Sequence, residues 1–579
     1  MENDSQKRLM LALIASFALT AVYMFVGGGG SSNPRPSEPS LDAGVRPAVA
    51  ASVEQPAATP PALSTGAAVG APASDLPSRT LEVDRPEVHY TLLTDGAGLN
   101  SAILQGPKMR EVRHLTIPEG FALLLGKQVP AAPQMNLAEP VPGQPLPLSI
   151  SVSGSAPIPA DLRYAVASAD DGQVTFVART SNWEVSKRFT FSPAGFELNL
   201  TVALKNISGH PLSGELGLHE ARAIDPAHEE KPSMFGSIGN LSDAVCLVKD
   251  SMQKLLPSDK PESKDHSGPV SFAGVNQQYF LSAVFPAGAT REGRCTLSAS
   301  PVAREATAWF PFQVAAGESV TQSFGAFVGP KDSELLGSVP SLGANKGEAA
   351  WSPHLERAVD FGIWAVICKL MVVVLRFFHD LVGNWGLAII LLTVVVKVLL
   401  LPLTHRMLVS QEKMKKLQPK LTALKAKHPN DKEKQQQETM RVYQEAGVNP
   451  FGSCLMLLVQ LPIWAALFTT LRNNFEIYQE PFLRHFLPDL TFKDPTYILP
   501  VLLGVSQIIT GLLQPMAMDA AQQRIMLWFM PIFFTGIMLN YPAGLLLYIF
   551  TNNVLTVAQT YSLKKWLARP PAAVPEKRK

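Results

Sequence analysis

At 579 residues the chain is long enough to hold several domains. Its formal net charge of +2 makes no electrostatic case for a nucleic acid partner, and no specific nucleic acid sequence is expected to bind. A hydrophobic fraction of 46% suits a protein that is part membrane and part soluble, and the four cysteines form no C-x-x-C pair that would hold zinc or call for a cofactor.

Lys7 and Arg8 precede an 18-residue apolar run at 9–26. At 1.5 Å per residue this run spans about 27 Å, close to the thickness of a bilayer core. No small-x-small cleavage site closes it and no cysteine follows to accept a lipid. Residues 1–26 therefore read as an uncleaved transmembrane anchor with a cytoplasmic N-terminus. Residues 27–78 begin GGGGSSNPRPSEP and continue rich in Ala and Pro, the composition of a flexible linker.

From 79 to 345 the pattern changes to short alternating runs such as VTFVARTSNWEVSKRFTFS and FELNLTVALKN, punctuated by Gly, Pro, Asn and Asp. This predicts one large all-β domain, a β-sandwich. His219 and Glu220 read there as ordinary surface or packing residues. Cys246 and Cys295 read as unpaired thiols, although an oxidising compartment would permit a bridge. Residues 353–382 are apolar, but Lys369 and Arg376 interrupt them. An interfacial amphipathic helix fits better than a crossing.

Five apolar runs follow, at 385–403, 451–471, 497–513, 525–539 and 543–563. With the anchor they make six crossings of a polytopic α-helical membrane protein. The loop 405–449 carries ten Lys/Arg against five Asp/Glu, so the positive-inside rule places it in the cytoplasm. The loop 473–495 then lies outside and the short basic tail 566–579 returns inside. A seventh crossing at 361–375 would put the basic segments outside. The β domain accordingly lies in the periplasm.

Within 405–449, Met414, Leu417, Leu421 and Leu424 repeat at the spacing of a short coiled-coil seam. Asn430, with Glu433 three residues on, is the expected cap of a second helix that ends near Ala446 and Gly447. The loop is thus predicted to be a helical hairpin, kinked at Pro419. On charge alone a solvated spacer describes it better than a docking site.

Lys397 stands inside the run 385–403. A cation there costs roughly 2.5–3.5 kcal/mol on insertion scales, so it faces protein or water, or else snorkels to the near end of the run. Thr393 lies one turn before it on the same face. Gln460 sits beside Pro462, Ser506 and Gln507 lie in the next run, and Tyr548, Asn552, Thr556 and Gln559 share one face of the last. Each alone is an ordinary interhelical hydrogen-bonding residue. Together with a lysine, and with no Asp or Glu in these runs, they suggest a hydrated cavity whose unpaired cation faces an anionic visitor.

The segments GNWGLAIILLTVVVKVLLLPLTHRM, KMKKLQPK, VNPFGSCLMLLVQLPIW and YPAGLLLYIFTNN resemble, in order and spacing, the YidC/Oxa/Alb family of membrane protein insertases, most of all its Gram-negative bacterial branch. The resemblance covers about 355–565. It implies a β-supersandwich periplasmic domain and a five-helix core, 385–565, around a hydrophilic groove. It further implies an energy-independent insertase and chaperone of the inner membrane rather than an enzyme. Lys397 falls where relatives usually carry arginine. Gln460 and Pro462 match the family's Q-x-P, Gly544 to Tyr548 its G-L-x-L-Y, and Asn553 its terminal asparagine. Pro402 and Gly452 hold structural positions in the matching motifs. Ile549 replaces a second aromatic residue, which puts substrate contact from that side in question. The implied partners are nascent integral membrane proteins, the Sec translocon, membrane lipids, and the ribosome through the hairpin and tail. A small-anion transporter and a passive scaffold are the competing classes. The first predicts internal repeats, which the sequence does not display.

Overall fold

Burial alternates along strands such as Trp183–Phe191 and Arg294–Ser300, while Val270–Asn276 and Phe280–Pro286 are buried throughout. The computed structural model describes residues 77–112, 115–225, 242–256, 260–287, 292–339, 352–428, 431–447, 452–483, 486–513 and 523–567. The expected anchor at 1–26, nearly all of the expected linker, and the tail from 568 lie outside the described residues.

Strands β1 (Thr80–Asp84), β2 (Val88–Leu93) and β3 (Gly98–Leu104) form a small antiparallel sheet, followed by helix α1 (Ile117–Leu124). The next strands are β4 (Ile150–Gly154), β5 (Ala165–Asp170), β6 (Gln173–Arg179), β7 (Trp183–Phe191), β8 (Glu197–Asn206) and β9 (Leu212–Ala223). Then come β10 (Asp243–Val248), β11 (Ser251–Leu255), β12 (Glu262–Ser267), β13 (Val270–Asn276) and β14 (Phe280–Pro286). β15 (Arg294–Ser300), β16 (Ala303–Val314), β17 (Ser319–Pro330) and the short α2 (Ser333–Ser338) complete the domain. They build a nine-stranded sheet, β11-β10-β13-β14-β17-β8-β7-β6-β5, and a five-stranded sheet, β12-β15-β16-β9-β4. The apolar faces of both sheets enclose one core that includes Trp183, Phe189, Phe272, Phe285 and Phe327. The expected all-β domain is present.

Of the two alternatives for His219 and Glu220, surface or packing, the structure shows packing residues. They are 5% and 1% exposed, because β9 lies between β16 and β4 and is covered on both faces. The Glu220 carboxyl spans the sandwich and accepts a hydrogen bond from Ser282 Oγ at 2.8 Å. Burial raises its pKa to about 8. Lys187 is also fully buried. Its ammonium donates to the carbonyls of Ala97 (2.6 Å) and Leu148, so a side chain of the large sheet ties the small sheet in place. Ala97 and Leu148 adopt left-handed φ values of 44° and 61°. Cys246 and Cys295 are free thiols, buried from opposite sheets and in hydrogen-bonding contact.

The helical part comprises α3 (Ala365–Val382), α4 (Trp385–Lys427), α5 (Lys432–Glu445), α6 (Gly452–Asn473), α7 (Ile498–Leu513), a π-helical turn (Ile525–Phe529) leading into α8 (Met530–Met538), and α9 (Ala543–Leu567). Among the described residues, α4 alone is long and apolar enough by composition to pass as a membrane span. Ile498–Leu513 and Ile525–Met538 are shorter apolar helices. The region 353–364 is not helical throughout but consists of short 3-10 turns before α3. Trp364 and Phe378 pack on the helical core, while Phe377 is exposed.

The run of Lys397 and the first hairpin helix are one continuous helix of 43 residues, which passes both Pro402 and Pro419. The hairpin then forms as expected, with Met414 and Leu421 buried. Its second helix is capped by Asp431, not Asn430, which lies outside the described residues. The Asp431 side chain accepts from the Lys434 amide at 2.9 Å, and its charge complements the helix dipole. Gly447 follows at φ 60°, the left-handed conformation a helix end favours.

The two parts are joined at the loop after α6. Tyr478 is fully buried in the β-domain core, stacked on Tyr279 with ring centroids 4.2 Å apart. Its hydroxyl donates to the Arg110 carbonyl at 2.7 Å. Phe475 packs edge-on against Phe280, and Lys108 pairs with Glu480 at 2.5 Å.

Candidate functional site

Asn384 starts α4, its side chain accepting from the Leu387 amide at 3.0 Å. That start sets the helix phase and turns Thr393, Lys397 and Thr404 inward, at 1%, 8% and 2% exposure. The spacing is one turn and then two turns of a single face. Thr393 satisfies its hydroxyl on the Ile389 carbonyl (2.7 Å), within its own helix. Lys397 reaches across to α9, where its Nζ donates to Thr556 Oγ1 at 2.8 Å, and Thr556 in turn donates to the Asn552 carbonyl at 2.7 Å.

The partner of Lys397 is thus a hydroxyl and not a carboxylate. Lys397 is buried and hydrogen-bonded, although among the described residues no carboxylate pairs with it. A hydroxyl leaves the positive charge uncompensated and occupies one of three ammonium donors. The group can still attract an anion.

Two further ties converge on α9. Gln559 Nε2 donates to Thr404 Oγ1 at 2.8 Å, and Asn553 Nδ2 donates to Ser506 Oγ at 3.0 Å. Thus one side of α9 binds α4 and the neighbouring side binds α7. Tyr548, 2% exposed, lies within hydrogen-bonding reach of Gln460 on α6. Gln460, Gln507 and Asn552 are half-buried, and Asn552 contributes its carbonyl to the network.

Gly544 shows why α9 comes so close. A β-carbon there would stand 3.0 Å from the Leu490 carbonyl and 3.3 Å from both Ile389 and Leu471. The Gly544 amide bonds that same carbonyl at 2.8 Å. Gly452 opens α6, Pro462 lies half-buried within it, and Pro402 is exposed on α4. None of these three joins the polar network.

Of the candidates named from sequence, Lys397, Ser506 and Asn553 are brought into direct interhelical bonds. Thr404 was missed, and Thr556 and Gln559 carried more than a shared face. The available signal was the seven-residue step from Lys397 to Thr404, repeated across the contact by Asn552, Thr556 and Gln559.

The family model described as "60Kd inner membrane protein" matches residues 377–570, and that described as "YidC periplasmic domain" matches 128–374. A protein of Anaeromyxobacter sp. (strain Fw109-5) named "Membrane protein insertase YidC" is 34% identical over 510 residues, covering 86% of this chain and 87% of that one. A protein of the same name from Syntrophus aciditrophicus (strain SB) is 29% identical over 587 residues, covering 96% and 99%. Among solved structures, one titled "Active YidC insertase crystal structure with the first transmembrane domain resolved" is 19% identical, covers 85% of this chain and 94% of that one, and has a TM-score of 0.35.

Proposed function

The chain belongs to the YidC family of membrane protein insertases, and on that premise we propose that Lys397 assists insertion by stabilising polar or acidic stretches in transit. It is an inner-membrane protein with a periplasmic domain, handles membrane protein substrates, and is not an enzyme. The observation that carries the proposal is the Lys397–Thr556 contact, a buried cation held by a hydroxyl where α4 meets α9.

A hydrophobic segment entering a membrane often brings a short polar stretch that must cross. Taking that stretch through lipid is the expensive step. A groove lined by Lys397, Gln460, Ser506, Gln507, Tyr548, Asn552 and Asn553 lets it come part of the way without full desolvation. The apolar part then moves sideways into lipid, where burial contributes roughly 25 cal/mol per Å².

In this reading six helices cross a Gram-negative inner membrane and both termini are cytoplasmic. The hairpin of α4 and α5 receives the nascent chain or the ribosome, and the chain works alone or with the Sec translocon. The positive-inside balance of 405–449 supports that orientation.

The test is reconstitution of the purified chain into liposomes with a small single- or double-spanning substrate, read by protease protection of the translocated segment. Protection in liposomes holding this chain, and none in empty ones, is expected. No protection in either removes the claim that the chain inserts substrates alone.

A further inference from the structure

Helix α1 belongs to the β domain, yet it carries an apolar stripe that nothing among the described residues of that domain covers. Ile117, Phe121 and the C-cap Leu125 recur every four residues and are 51%, 43% and 74% exposed. A stripe at that spacing lies along one side of a helix. The helix is firmly begun, with Pro118 in its first turn and the Glu119 carboxylate accepting the Thr116 amide at 2.9 Å. Its apolar side is thus held in a fixed direction.

The neighbour of α1 decides what that direction means. Gly120 is buried against Pro495, where a β-carbon would stand 2.8–3.0 Å from three Pro495 atoms. Pro495 lies three residues before α7. The adjoining Asp494 caps that helix, accepting from the Thr496 amide at 2.8 Å and the Leu499 amide at 2.7 Å. The outer side of α7 is apolar and exposed along its length, through Val501, Val505, Ile509 and Leu512. The stripe of α1 therefore stands beside the mouth of α7, whose exposed apolar side is the one a membrane span would offer to lipid.

We propose that α1 is a second membrane contact of the periplasmic domain, seating Ile117, Phe121 and Leu125 in the outer leaflet beside α7. Such a contact would hold the domain at a fixed height over the groove, in addition to the anchorage through Tyr478. The occupant is lipid, because the patch adjoins a lipid-facing helix and is too small to make a stable protein interface by itself. The inference rests on the reading of α7 as a span.

The test uses the full chain in nanodiscs of phosphatidylethanolamine and phosphatidylglycerol. Nitroxide labels are placed singly at Leu125→Cys, at Gln128→Cys as an aqueous control, and at Val505→Cys on α7. The signal of the unsubstituted chain is subtracted. The expected result is a several-fold higher ratio of oxygen to nickel-chelate accessibility at 125 than at 128, approaching that at 505. An aqueous reading at 125 with a lipid reading at 505 overturns the proposal and leaves the span standing. Aqueous readings at both overturn the span and the proposal with it. Dipolar broadening between labels at 125 would place a second copy of the chain on the patch and likewise overturn it.

Discussion

Replacing Lys397 with methionine separates a role for its charge in insertion from a structural one. Methionine keeps an unbranched chain of similar length, so packing between α4 and α9 is retained. The substitution removes the bond from Nζ to Thr556 Oγ1, a 2.8 Å contact with a charged donor, worth about 1.5–3 kcal/mol. It also removes the cost of holding a cation at membrane depth, roughly 2.5–3.5 kcal/mol. The two nearly cancel. Thr556 keeps its own bond to the Asn552 carbonyl, so no hydroxyl is orphaned. Lys397→Met should therefore melt within a few degrees of the unsubstituted chain in detergent.

Insertion should respond differently. If the cation offsets the cost of one acidic residue in transit, about 3 kcal/mol, the loss is on the order of a hundredfold in rate. Lys397→Arg should retain activity, and a substrate with no acidic residue in its translocated segment should be little affected. The assay is protease protection in liposomes, with paired substrates differing by one Asp→Asn change. Equal loss for acidic and neutral substrates, or full activity of a folded Lys397→Met chain, would refute the reasoning.

Three further outcomes are expected. Gly544→Ala forces a methyl group against the Leu490 carbonyl, which should cost about 1–3 kcal/mol; an unchanged melting temperature would contradict the close approach of α9. Glu220, whose carboxyl burial pushes from its ordinary value of 4.5 up to about 8, holds its proton more tightly when folded. Its contribution is fully present below pH 4.5 and is lost as pH rises towards 8, at about 1.4 kcal/mol per pK unit. Glu220→Gln keeps the acceptor for Ser282 and does not ionise, so it should melt higher than the unsubstituted chain at pH 8 but not at pH 5; parallel curves would refute this. Tyr478→Ala removes the stack on Tyr279 and the bond to Arg110, a truncation of the size that costs about 3–5 kcal/mol. Amide exchange in 475–480 should rise sharply, and unchanged protection would show that the joint does not depend on this ring.

The site was partly legible because its lysine is conspicuous. A cation in an apolar run is a strong signal in one dimension, and so is a face of hydroxyls and amides at helical spacing. The family motifs then placed Gly544, Gln460 and Asn553. The sequence offered no means of pairing residues 159 positions apart, which is why Thr556 was one polar residue among four until α9 was seen against α4. His219 and Glu220 stayed between surface and packing for a related reason. The burial of a polar dipeptide in a strand depends on whether that strand is flanked on both sides or lies at an edge.

Local physics settled the periodicities. Alternation made the strands, the apolar runs made the helices, and the Lys/Arg balance of 405–449 set the expected orientation. These follow from backbone geometry and from transfer energies that each segment carries by itself. The tertiary structure decided which segments meet: Tyr478 inside the β domain, Pro495 against Gly120, and Lys397 on Thr556. Such contacts join residues far apart in the chain, and their energies depend on shape and burial that exist only once the chain has packed.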